Sequence, residues 1–337
     1  MKRASASADA YVFGSTRIRA MELGMLDSER IERLIEAGDL DSCVTLLEEL
    51  GVETVYDPDT GSFDREKTLE LRLRRAYDEV LSLTEQADFL KLWLYPYDCN
   101  NIKAVIKCSY RGVDAEDMLF DFGTVSIEAL KEMALRGDYS GLPAPFGEAA
   151  EEAARALAAT ANPQTVDLIL DAACYQAMCA LSESGGVPFA RELVGVKIDL
   201  TNLLVCLRRL RMADRYVSEI FPRAFYLEGG TLDYAYLTDL CSNGEAYFWE
   251  RLEYSPYEKL TRSGAKSASL SAVELAADQI FMDRVRHARS VPYGAEPLLG
   301  YLLGVEYEVK NLRILLSGYS IGLSPKNIRE RMRIGYV

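Results

Sequence analysis

Three stretches of the chain place an acid three residues before an asparagine, with an aliphatic residue directly after it. They read Asp98-Cys-Asn-Asn101-Ile102, Asp199-Leu-Thr-Asn202-Leu203 and Glu308-Val-Lys-Asn311-Leu312. On a helix, residues three apart share a face, so each stretch presents a carboxylate and an amide side by side. Such a pair could form a polar site built three times over. It could also serve the fold, with the carboxylate favoured by the helix dipole and the amide tying its helix to a neighbouring segment. Repeats more commonly retain their hydrogen-bond anchors than three active sites, so Asp98, Asn101, Asp199, Asn202, Glu308 and Asn311 are expected to be structural anchors. Basic residues follow each asparagine: Lys103 and Lys107, then Arg208, Arg209 and Arg211, then Arg313. Cations suit helix C-termini. If the three stretches are related by rotation, these ends would also form a basic rim suited to an acidic protein partner.

Other chemistry is sparse. The one histidine, His287, sits in the basic run Arg284 to Arg289 and reads as a surface residue. The seven cysteines (43, 99, 108, 174, 179, 206 and 241) show no Cys-x-x-Cys spacing and read as reduced thiols. Neither a phosphate-binding loop nor a dinucleotide fingerprint occurs; Ser263-Gly-Ala-Lys-Ser267 has the wrong spacing and reads as a polar loop. No cofactor, metal or catalytic residue is expected. A net charge of −14 opposes generic nucleic-acid binding. The apolar runs, Ala172 to Leu181 among them, fall well short of the roughly 20 residues that cross a bilayer. The N-terminal residues lack the apolar run of a secretory signal, which points to the cytoplasm.

The elements that carry these residues have helical periodicity almost throughout, so the fold class is all-α. Helices are expected over 9–24, from Asp27 or Ser28 to Gly38, through Val44 to Leu50, and over 65–84. The first acid–asparagine helix follows at 98–111. The order then recurs: a helix from Ser126 to Gly137, an alanine-rich helix over 148–160, one over 163–183, and the second acid–asparagine helix at 190–215. It recurs again from Thr231 or Asp233 to Gly244, through 247–253, over 270–289, and into the third such helix at 296–317. The glycines that close the short helices, Gly38, Gly137 and Gly244, keep nearly the same spacing as Asn101, Asn202 and Asn311, about a hundred positions. Two independent marks thus share one period. That length is too great for a solenoid repeat, and three similar helical domains in pseudo-threefold arrangement are expected, over residues 1–111, 112–215 and 216–337.

The order of these marks resembles a known family. The N-terminal stretch Tyr11-Val-Phe-Gly-Ser-Thr-Arg17-Ile-Arg19-Ala-Met-Glu22, the block Leu94-Tyr-Pro-Tyr-Asp98-Cys-Asn-Asn101-Ile-Lys103, and the C-terminal block from Glu306-Tyr-Glu308-Val-Lys310-Asn311-Leu-Arg313 through Gly322 to Arg331 resemble the C subunit of prokaryotic V-type (A-type) ATPases, the counterpart of the eukaryotic d subunit. The resemblance runs from about residue 9 to the last residue. It implies a funnel of three helical domains on the cytoplasmic side of the membrane proteolipid ring. There the protein would be a socket joining the central shaft, made of the D and F subunits, to that ring. Torque would pass through it between ATP turnover and H⁺ or Na⁺ movement, with membrane contact only indirect. The family's pattern specifies no catalytic residues. This chain departs from it in Gly141-Leu-Pro-Ala-Pro-Phe-Gly147 and the alanine-rich helix, which would alter one domain's surface. The alternative is an all-helical cytosolic adaptor for a peptide or acidic protein partner. A helical enzyme would need a pocket that gathers acids from different repeats.

Overall fold

The structure is a computed structural model and describes residues 11–212, 221–262 and 269–337. Among these residues there are helices and no strands, with a single bridged pair, Tyr56 and Phe63. The expected loop at 263–267 and the end of the expected helix at 213–215 lie outside the described residues. The chain resolves into two compact units.

The first unit is discontinuous, made from residues 1–87 and 271–337. Its N-terminal part holds α1 (Val12–Glu22), α2 (Ser28–Ile35), α3 (Leu40–Glu49) and α4 (Arg65–Ser82). Capping chemistry sets three of the starts: Asp27, Asp39 and Asp64 each accept a backbone N–H in the first turn of the helix that follows.

The second unit is continuous, residues 88–270. It opens with the short α5 (Asp88–Lys91) and a 3-10 turn (Leu92–Leu94), then α6 (Tyr95–Arg111). Pro96 occupies the first turn of α6, where its missing N–H costs nothing. The helix therefore starts a turn earlier than expected, and Asp98 lies within its first turn. Next come α7 (Ile127–Arg136), capped by Ser126, then α8 (Phe146–Thr160), α9 (Pro163–Ser184) and α10 (Pro188–Met212). After a 3-10 turn (Arg223–Phe225) follow α11 (Tyr234–Ser242), capped by Asp233, α12 (Gly244–Leu252) and α13 (Lys259–Arg262). Helix α9 packs against α6, α8 and α10. The alanine-rich α8 is more than a surface feature: Ala149, Ala150, Ala153 and Leu157 are buried, small residues that let the α8 and α9 backbones approach closely.

The C-terminal part of the first unit holds α14 (Leu270–Val285), α15 (Ala295–Ser320) and α16 (Pro325–Arg329). Beyond Val285 the expected helix tightens into a 3-10 turn over Arg286–Ser290. Helix α15 is apolar nearly all round its surface, the mark of a helix enclosed by others. Residues from Ala295 to Gly318 are buried along it, and it packs against α4, α1 and the Arg286–Ser290 turn.

The glycines that were expected to close the three short helices do so. Gly38, Gly137 and Gly244 have φ of 91°, 65° and 86°, a left-handed backbone that glycine takes without steric cost.

Candidate functional site

All six residues of the acid–asparagine pairs are buried, none more than 4% exposed. Each asparagine makes the same two bonds to the backbone of one residue. The Asn101 amide donates to the Phe120 carbonyl at 2.8 Å, and its Oδ1 accepts the Phe120 N–H at 2.9 Å. Asn202 pairs with Leu227 in the same way, at 2.9 and 3.0 Å. Asn311 pairs with Arg333 at 3.0 and 2.9 Å. A side-chain amide is thereby used as one rung of a sheet, satisfying a donor and an acceptor of irregular backbone that would otherwise be costly to bury.

The acids bind the residues just ahead of the next short helix. Asp98 accepts the Thr124 N–H at 2.8 Å, the Thr124 hydroxyl at 2.7 Å and the Val125 N–H at 3.1 Å. Asp199 accepts the Thr231 N–H at 2.9 Å, the Thr231 hydroxyl at 2.5 Å and the Leu232 N–H at 3.0 Å. The Tyr257 hydroxyl adds a fourth bond to Asp199 at 2.7 Å. These loops approach so closely that side chains are excluded: a Cβ on Gly123 would lie 2.3 Å from Asp98 Oδ1, and one on Gly230 only 2.0 Å from Asp199 Oδ1. Val125 and Leu232 each immediately precede the residue that caps the next helix, Ser126 or Asp233.

The third acid follows the same plan with a different second partner. Glu308 Oε2 accepts the Leu26 N–H at 2.8 Å, and Leu26 immediately precedes the capping Asp27. Here Met25 stands where the other two loops have threonine. The free carboxylate oxygen instead meets Arg72 of α4, with Oε1 2.9 Å from Nε and 2.7 Å from the terminal nitrogen. The extra methylene of glutamate gives the reach for both partners. The third pair thus binds both ends of the chain, Leu26 through its acid and Arg333 through its amide.

The basic residues expected after the asparagines are mostly engaged within the fold. Lys103 meets Asp171 and Lys107 meets Asp167, each at 2.5 Å, two rungs joining α6 to α9. Arg211 places two nitrogens on Glu245 Oε1 at 2.9 and 2.8 Å, and the Trp249 indole donates to the same oxygen at 3.1 Å. Arg313 meets Glu66 of α4 at 3.1 Å. Arg209 lies over the Phe225 ring, 5.2 Å from its centroid. Arg208 is exposed. His287 is exposed as well.

A cavity of about 220 Å³ in the first unit is lined by Glu53, Arg72, Arg75, Glu79 and Tyr301 among others. Its acids face arginines: Glu53 pairs with Arg75, and Glu79 with Arg17 at 2.6 Å. Burial raises the Tyr301 hydroxyl to about 12. The cavity is therefore lined by matched ion pairs and a protonated phenol. Among the described residues no group of three or more His, Cys, Asp or Glu side chains is arranged to hold a metal ion. No described helix is long and apolar enough to cross a membrane.

Residues 15–331 match the ATP synthase (C/AC39) subunit family. The chain belongs to that family. Among its relatives, the A-type ATP synthase C subunit of Methanocaldococcus jannaschii is 27% identical, over 95% of this chain and 85% of the relative. The V-type sodium ATPase C subunit of Enterococcus hirae is 24% identical, over 95% of this chain and 97% of the relative. The A-type ATP synthase C subunit of Thermococcus kodakarensis is 25% identical, over 95% and 89%. The C-subunit resemblance drawn from the acid–asparagine blocks is thus a family membership, and this member of the family is all-α.

The acid–asparagine spacing was visible in the sequence, but its binding partners were not. The Gly123-Thr124 and Gly230-Thr231 steps, each two residues ahead of a capping Ser126 or Asp233, are the signal that could have found two of them. Nothing comparable marks Leu26, Arg72 or Arg333.

Proposed function

We propose that this chain is the non-catalytic central-stalk coupling subunit of a rotary V/A-type ATPase, a socket between the shaft, built of the D and F subunits, and the membrane proteolipid ring. The observation that carries this reading is the family match over residues 15–331, with relatives named as C subunits aligned over 95% of the chain. A socket would bind no nucleotide and conduct no ion. Its requirement is stiffness, and close-packed helical interiors transmit strain with little deformation. The three acid–asparagine pairs suit that demand, because each clamps a connecting loop to a long buried helix with four or more hydrogen bonds. In this reading they are structural anchors of three repeated helical domains, the division proposed at residues 1–111, 112–215 and 216–337. The exposed Arg208 is the basic residue proposed to meet an acidic partner. The protein would then sit peripherally on the cytoplasmic face, touching the membrane only through the ring. H⁺ and Na⁺ serve equally as the coupled ion in this reading.

The test is to isolate membranes from cells that carry a tagged copy of the chain. Under gentle extraction the tag should recover ring and shaft subunits together, and low-salt EDTA washing should release the chain along with the shaft. Membranes without it should hydrolyse ATP with no ion transport until it is added back. Recovery of the chain with no ATPase subunit would overturn the reading.

A further inference from the structure

On α10 the residues Asp199, Asn202 and Cys206 form one stripe at helical spacing, and the first two hold the segment that leads into α11. Cys206 continues the stripe one turn beyond the asparagine and is fully buried. Its thiol is hydrogen-bonded to that of Cys241, in the last turn of α11. All seven cysteines are free thiols in the structure. One turn beyond the other two asparagines lie Val105 and Leu315, and two turns past the other two capping residues lie Ala134 and Ile35. Both of those positions are plain apolar packing: Val105 and Ala134 line one groove, and Leu315 and Ile35 are buried. Only the α10–α11 junction fills the two places with sulfur.

We propose that Cys206 and Cys241 are a dithiol that hydrogen peroxide oxidises to an intramolecular disulfide, stapling α10 to α11. Cys241 is the first to react. It is 8% exposed against 0% for Cys206, so a small oxidant reaches it. The hydrogen bond from Cys206 holds its thiol below the ordinary value; burial opposes this and the charge of Arg209 assists it. The Cys241 thiolate attacks one peroxide oxygen, the O–O bond breaks, and sulfenic acid and water form once hydroxide takes a proton. Cys206 then loses its proton and attacks the Cys241 sulfur, the S–O bond breaks, and a second water leaves. Two thiols and one peroxide thus give one disulfide and two waters. The staple would close the segment 207–240 and continue the line of attachment that Asp199 and Asn202 begin.

A second thiol pair supplies an internal comparison. Cys99 of α6 and Cys174 of α9 also share a hydrogen bond, but both are at most 3% exposed, and that bond together with burial pushes the Cys174 thiol far up. It should oxidise after the α10–α11 pair.

The test uses the purified full-length chain, reduced, desalted and exposed to hydrogen peroxide under native conditions. Two of the seven thiols should be lost. A non-reducing tryptic digest should show peptide 198–208 bonded to peptide 224–251. The oxidised protein should melt at a higher temperature, and dithiothreitol should reverse both changes. Cys206→Ala and Cys241→Ala should each abolish the crosslink and the melting shift, while melting like the wild type when reduced. The proposal is overturned if the bridge forms only after denaturation, if Cys99–Cys174 links first, or if Cys241 passes to sulfinic acid with Cys206 still free. Because the crosslink is mapped on the unmutated chain, the outcome stands even if a variant fails to fold. It is also independent of whether the chain proves to be a stalk socket.

Discussion

At the scale of single residues, the three pairs differ in how their negative charge is held, and this separates their behaviour. Asp98 has no basic partner among its hydrogen bonds, which come from Thr124 and Val125. Burial raises its carboxyl above the ordinary 3.8, while those bonds pull the other way. A carboxyl raised in the folded state binds its proton more tightly there than when unfolded. Its contribution to stability is therefore complete below about 3.8 and is lost as pH rises through the folded value. An asparagine in its place could accept the same two N–H groups and donate to the Thr124 hydroxyl without any charge. Asp98→Asn should accordingly gain stability relative to wild type as pH rises from about 4.5 to 7, read from urea midpoints; a gap that narrows would show the carboxyl to be depressed instead. Asp98→Ala leaves the Thr124 and Val125 N–H groups unpaired and should cost about 1–3 kcal/mol at every pH. Glu308 is different, since only 3% of its side chain is exposed and it depends on Arg72. Removing one partner of a buried ion pair strands the other, so Arg72→Met should cost about 3 kcal/mol in chemical denaturation. Arg72→Met/Glu308→Leu should cost less than Arg72→Met alone; an equal or greater loss would show that the pair adds net stability.

At the scale of elements, periodicity and capping residues gave nearly every helix, because Asp27, Ser126 and Asp233 announce a start and Gly38, Gly137 and Gly244 an end within a few residues of sequence. The partners of the anchors were less legible in proportion to their distance along the chain. Phe120 and Leu227 lie within one repeat of their asparagines, whereas Leu26 is 282 positions from Glu308. A turn signal describes local backbone, and no local signal records a contact between the two ends of a chain. The C-terminal tail is the clearest case. Tyr336 is buried against α15, where a Cβ on Gly304 would come within 2.7 Å of the Tyr336 Cβ and Cγ. Its hydroxyl reaches Glu22 at 3.1 Å, and Arg333 Nε reaches Asp278 at 2.6 Å. In isolation, alanine at a helix-interior glycine gains up to about 1 kcal/mol. Here the clash is with the base of a ring side chain that cannot swing away, and overpacking of this kind costs about 1–3 kcal/mol. The loss should win. Gly304→Ala should lower the melting temperature and expose the last residues to carboxypeptidase, whereas a raised melting temperature would mean that the tail is not seated on α15.

At the scale of the molecule, the two units differ in how the chain supplies them. Residues 88–270 form a continuous unit, while the other unit combines residues 1–87 with 271–337. In the continuous unit both acid–asparagine pairs find their partner loops within the same segment, at Phe120 to Val125 and Leu227 to Leu232. In the discontinuous unit almost every stabilising feature joins the two pieces: α4 packs on α15, Ser15 exchanges hydrogen bonds with Gly294 at 3.2 Å, and Glu308 holds both Leu26 and Arg72. Residues 1–87 alone would expose the faces of α1 and α4 that α15 covers, leaving too little buried apolar surface to offset chain entropy. Expressed separately, residues 88–270 should unfold cooperatively with helical circular dichroism, and residues 1–87 should remain largely unfolded. Order should return when residues 271–337 are placed ahead of residues 1–87 through a flexible linker on the order of ten glycine and serine residues. That order runs directly from Arg333, held by Asn311, to Leu26, held by Glu308, much as Phe120 runs on to Val125 and Leu227 to Leu232. If the rearranged fusion stays unfolded while residues 88–270 fold, the discontinuous unit depends on more than its own two pieces. If residues 1–87 fold alone, the bonds that converge on Glu308 are not what assembles it.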